Sequence, residues 1–95
     1  MYDLLVKNGR IVTPETVEEG NIGVKDGRIA AILAADQEPE TARVVDAKGN
    51  YVFPGAIDTH AHLNDPGYEW REDYEHGTAA AAVGGYTTVI DMPLQ

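Results

Sequence analysis

Short apolar runs separated by turn dipeptides fill the first half of the chain, and the pattern changes after residue 53. Leu4–Lys7 leads to Asn8-Gly9 and then to Ile11–Thr13, closed by Pro14. Asn-Gly between two apolar runs is a strong hairpin signal, because both residues accept the left-handed dihedrals of a tight turn. Ile22–Lys25, Asp26-Gly27 and Arg28–Leu33 repeat the arrangement. Arg43–Asp46 then leads through Lys48-Gly49-Asn50 to Tyr51–Phe53. Residues 1–53 thus predict a β-rich layer of hairpins, of β-sandwich type. Ala34–Thr41, polar and holding Pro39, is its loosest connection.

Residues 54–95 read differently. Ala56–Leu63 suits a strand with polar groups at its C-terminal end, and Asp65-Pro66-Gly67 has the chemistry of a turn. A helix is predicted from about Trp70 to Val83. Glu69, Glu72, Asp73 and Glu75 complement the positive end of its dipole, Ala79–Ala82 favour helix, and Gly84-Gly85 stop it. Tyr86–Met92, β-branched and apolar, is a second strand ended by Pro93. Strand, helix and strand make a βαβ unit with parallel pairing. Its two strands have open edges, and a barrel of eight such units needs about 250 residues. The expectation is an α/β fold seen in part, with 54–95 opening a larger domain.

Charge and composition narrow the chemistry. The chain of 95 residues carries 16 acidic and 7 basic side chains, a formal charge of −9, which opposes binding to nucleic acid or anionic membranes. No apolar run approaches the roughly 20 residues of a membrane span, and no basic segment precedes the first apolar run. A cytoplasmic location is expected. Cysteine and serine are both absent, which removes thiolate ligands and the commonest covalent nucleophiles.

Metal chemistry is suggested instead by Asp58-Thr59-His60-Ala61-His62. On a strand, residues two apart face the same side, so Asp58, His60 and His62 would share a face at the strand's C-terminal end. Two neutral imidazoles make a suitable pair of first-row metal ligands, with Asp58 placed to orient one ring. Taken bare, His-x-His is a weak signal, and a catalytic zinc normally takes three protein ligands plus water.

The run from Pro54 to His62, set between a hairpin layer and a βαβ unit, resembles the amidohydrolase superfamily. In that family a strand layer leads into a (β/α)8 barrel whose first strand carries Asp-x-His-x-His. The openings "KNGRIV" at Lys7–Val12 and "GRIAAI" at Gly27–Ile32 resemble it too. Within the cyclic amidohydrolases, dihydroorotases follow the histidines with an arginine, here Asn64, and place asparagine after Met-Pro, here Leu94. Allantoinases are more similar, through His62–Gly67, the spacing from Trp70 to Gly77-Thr78, and Asp91–Leu94. Gln95 departs from their usual asparagine, and the stretch between Gly67 and Trp70 is one residue shorter than in many relatives.

The resemblance implies hydrolysis of a ring amide, allantoin to allantoate, with hydantoinase, dihydropyrimidinase and dihydroorotase chemistry as alternatives. It implies two divalent metals, zinc in many members, bridged by a carboxylated lysine. His60 and His62 would bind the more buried ion, Asp58 would support a ring, and Asn64 would touch the small cyclic amide. The remaining ligands and the catalytic aspartate belong to later strands. Lys7, Lys25 and Lys48 all precede the motif, and no histidine follows His76. The 95 residues alone are therefore expected to be inactive, and the whole enzyme a homo-oligomer. A different class, a non-catalytic chain that associates through open strand edges, competes with this reading.

Blander roles suit the other polar residues. His76 falls mid-helix and reads as solvent-facing or packed on a neighbour. Asp65, with Pro66-Gly67, suits a plain turn as well as a substrate-binding role. Asp91 closes a strand and reads as a structural hydrogen-bonding group.

Overall fold

The computed structural model describes residues 1–63 and 74–92. They divide between two compact units, Met1–Pro54 and Gly55–Gln95, each described by itself.

In the first unit, β1 (Tyr2–Val12) has a partner on each edge. One edge pairs antiparallel with β2 (Val17–Lys25), which pairs antiparallel with β3 (Arg28–Ala34). The other edge pairs parallel with β4 (Thr41–Asp46) and, further along, with β5 (Tyr51–Val52). Asp26-Gly27 forms the expected hairpin between β2 and β3, both residues having positive φ, 52° and 74°.

Asn8-Gly9 does something else. The expected hairpin there is absent, and β1 runs straight through. Asn8 has φ 59°, and the register against β2 slips between Val6↔Ile22 and Gly9↔Gly20, so the dipeptide forms a β-bulge. The fully buried Asn21 explains the choice. Its Oδ1 accepts the Asn8 N–H at 3.0 Å, while its Nδ2 donates to the Gln37 carbonyl at 2.7 Å. A buried amide must have such partners, and the bulge supplies one that a regular ladder would withhold.

The turn at Lys48-Gly49 also departs from expectation. It joins no hairpin. Lys48 and Gly49 take φ 53° and 78°, and the Gly49 N–H donates to the Asn8 carbonyl at 2.7 Å. The chain thereby follows the bulge and returns to the same edge, so β4 and β5 both pair with β1.

Among the described residues this unit is one five-stranded sheet, not the two stacked sheets of a sandwich. A single layer covers few side chains. Leu5, Ile11 and Ile22 are buried, whereas Ile29, Ile32, Val44 and Phe53 stay exposed.

The second unit pairs β6 (Ala56–Ala61) parallel with β7 (Tyr86–Asp91), with α1 (Tyr74–Val83) between them in sequence. This is the expected order and pairing. Gly85, at φ 89°, ends the helix, its N–H donating to the Ala82 carbonyl at 3.0 Å. The expected helix start, with Glu69, Glu72 and Asp73, lies outside the described residues, as does the Asp65-Pro66-Gly67 turn.

Candidate metal-binding strand end

β6 ends at Ala61, so His60 lies in its last turn of pleat and His62 just beyond it. The pairing with β7 runs Asp58↔Val89 and then Ala61↔Asp91, three residues of β6 against two of β7. One extra residue is thus accommodated between Asp58 and Ala61. Such a bulge re-aims side chains that strict alternation would fix. Here it coincides with a local bond, the His60 N–H donating to Asp58 Oδ1 at 3.1 Å.

The two imidazoles converge. Their centroids are 5.2 Å apart, with ring planes at 83°. Two histidines sharing one tetrahedral ion, with metal–nitrogen bonds near 2.0–2.1 Å, place their centroids about 5 Å apart. His62 is also oriented, by a contact of 2.5 Å between its Nδ1 and the Met92 carbonyl oxygen. A carbonyl only accepts, so Nδ1 is the donor, and in the neutral ring the lone pair is on Nε2. Metal-binding histidines commonly have their second nitrogen held in this way. The donor set therefore fits a borderline-soft divalent cation. It is only a pair: among the described residues no group of three or more His, Cys, Asp or Glu side chains could hold an ion.

Asp58 is half-buried and serves the His60 main chain; the ring partner seen for His62 is the Met92 carbonyl. Asn64 lies outside the described residues. His76 is on the exposed part of α1. Asp91 joins the strand end directly. Its Oδ1 accepts the Leu63 N–H at 3.2 Å, and its Oδ2 accepts the Tyr74 hydroxyl at 2.8 Å. Sequence reasoning gave no sign of the Met92 carbonyl, since a main-chain acceptor carries no residue signature. The parallel strand pair did hold a clue to Asp91, because it brings the ends of β6 and β7 together.

A hollow of ≈ 510 Å³ is lined by Leu63, Tyr74, Thr78, Val89 and Asp91 among others. Neither His60 nor His62 lines it. The histidine pair is separate from that space.

Comparison with known proteins identifies the family. Residues 43–92 match the model of the amidohydrolase family. The chain is 44% identical to an allantoinase from Bacillus licheniformis over 96 aligned residues, covering 98% of this chain and 21% of that protein. It is 43% identical to a dihydroorotase from Clostridioides difficile, over 94% of this chain and 22% of that one. Among solved structures, an L-hydantoinase (dihydropyrimidinase) from Arthrobacter aurescens superposes with a TM-score of 0.87 at 42% identity, over 97% of this chain and 21% of its own. An N-acyl-D-glutamate deacylase from Bordetella bronchiseptica, complexed with zinc and a phosphonate inhibitor, gives 0.68 at 31%, over 95% and 18%. The chain thus spans about a fifth of the length of the relatives it matches. With half of its residues matching the family model and relatives 43% and 44% identical along nearly its whole length, this chain belongs to the amidohydrolase family.

Proposed function

We propose that residues 54–95 form the first β-α-β of a (β/α)8 barrel in a metal-dependent cyclic amidohydrolase acting on allantoin, and that residues 1–53 form its accompanying strand domain. The observation that carries the proposal is the His60–His62 pair, with converging rings and the His62 Nε2 left open by the Met92 carbonyl. His60 and His62 would hold a divalent ion, and Asp58 would fix the main chain at His60. When bound, a pair of zinc ions would polarise the ring carbonyl and activate the water that cleaves the amide. The zinc-bound deacylase supports the choice of metal. The other ligands, including a carboxylated lysine, would come from outside residues 1–95. A homo-oligomeric, cytoplasmic enzyme belongs to the same proposal.

Overall identity does not rank the substrates, since the allantoinase and the dihydroorotase match almost equally. Asn64 and Leu94 count against dihydroorotate, for the dihydroorotase pattern has there an arginine and an asparagine that would hold the substrate carboxylate. The test is hydrolysis by the complete protein that contains this chain, on allantoin, hydantoin, dihydrouracil and dihydroorotate. Allantoin is expected to lead by about tenfold or more in kcat/KM. Preference for any other ring overturns the substrate. His62→Ala is expected to lose bound metal and more than about 100-fold in activity, beyond the roughly 10–100-fold that loss of an outer partner costs. Retained metal in that variant overturns the site.

A further inference from the structure

We infer that Asp91 is a positioning residue for His62, an inference that rests on the reading of His62 as a metal ligand. His62 lies one residue past the last ladder position of β6, where the sheet no longer holds the main chain. Residues 91 and 92 take over. The Met92 N–H donates to the Ala61 carbonyl at 2.7 Å, and the Leu63 N–H donates to Asp91 Oδ1 at 3.2 Å. His62 is therefore fastened on both sides, and its own Nδ1 meets the Met92 carbonyl between those two bonds.

Of these ties, only the one to Asp91 is made by a side chain of β7. Its loss would leave residue 62 held from the Ala61 side alone. The ring could then swing away from Met92, and Nε2 would no longer be the fixed lone pair. A carboxylate suits the place because both oxygens are used at once. While Oδ1 takes the Leu63 N–H, Oδ2 takes the Tyr74 hydroxyl at 2.8 Å, from the first residue of α1. A serine or threonine hydroxyl is too short to serve both. Asparagine can serve both, since its carbonyl accepts from Leu63 and its amide can donate to the tyrosine oxygen. Asp91 sits opposite Ala61 in the parallel register, which is what brings it within reach of residue 63.

The test follows the His62 ring itself. In the metal-free protein at alkaline pH, long-range nitrogen–proton NMR is expected to show His62 as one tautomer, with the proton on Nδ1. Asp91→Ala is expected to give a mixture of tautomers and about tenfold weaker zinc binding in chelator competition. Asp91→Asn is expected to restore both. Tyr74→Phe, which removes the hydroxyl's bond to Asp91, is expected to lower thermal stability and leave the tautomer alone. Should Asp91→Ala fail to fold, Asp91→Glu displaces the carboxylate by one methylene and is expected to mix the tautomers likewise. A single Nδ1–H tautomer and full zinc affinity without the aspartate, while His62→Ala loses affinity, would overturn the inference alone. Full zinc affinity in His62→Ala overturns the ligand reading and the inference with it.

Discussion

The two units hold themselves together by different means. The sheet of residues 1–54 buries Leu5 to 1% exposure, covers Ile11 and Ile22, and encloses Asn21 completely. Among the described residues of the second unit, Leu63 and Gly77 are the buried ones, while Ile57, Val83 and Ile90 are exposed. The candidate site residues are in the less packed unit. What orders them is a set of hydrogen bonds at the ends of two strands, from Asp58, Asp91 and Met92. A core keeps a fold unique by volume; a strand end keeps a ring oriented by direction. The two kinds of order should fail independently.

Mutations can break that contrast. The largest stability effect is expected from Leu5→Ala, a cavity in the small core costing about 3 kcal/mol in denaturant unfolding. The His62 tautomer should be unchanged in that variant below its unfolding transition. Asn21→Ala comes next, at about 2 kcal/mol, because two part-buried hydrogen bonds, from the Asn8 N–H and to the Gln37 carbonyl, are lost at about 1 kcal/mol each.

Acid is expected to have the smallest effect, and again on the first unit. Asp3 is held below its ordinary value by the Asp26 N–H and then by Lys25, and Asp46 by the Asn8 amide and the Lys48 N–H. A carboxyl depressed in the folded state stabilises above its unfolded value, near 3.8, and that contribution is lost as pH falls through the folded value. Both groups are exposed, so the loss is small and partly screened by salt. A melting temperature that declines below pH 3.8 in the parent and declines less in an Asp3→Asn, Asp46→Asn double variant would check the sign.

What the sequence could foretell follows from how local each feature is. Asp26-Gly27 makes its hairpin because the two runs that flank it pair directly across the two-residue turn. The β-α-β order and the histidine pair are equally local, and both are legible. Asn8-Gly9 is not, since a tight turn and a bulge ask the same dihedrals of the same residues. Only Asn21, thirteen positions away, selects between them. The parallel pairing of β4 and β5 with β1 is also a long-range choice, hidden from any window of adjacent residues. At the candidate site the ligand types can be read, and their register partners cannot. The bulge after Asp58 and the Met92 carbonyl arise from the pairing of β6 with β7, which only the assembled sheet defines.

The central place of β1 has a consequence for how the chain folds. Its antiparallel neighbour follows after a turn of four residues, Thr13–Thr16, so β1, β2 and β3 can assemble as soon as they exist. Its parallel neighbour does not arrive until Thr41, the partner of Tyr2. Closing so long a loop costs entropy before any contact repays it, and pairings of this kind slow folding. During synthesis one edge of β1 is therefore complete while the other, with Leu4 and Val6 along it, waits unpaired for β4 to emerge. That interval is when a neighbouring nascent chain could take the place of β4, and a rapid folding phase for the meander followed by a slower one for β4 would be its kinetic mark.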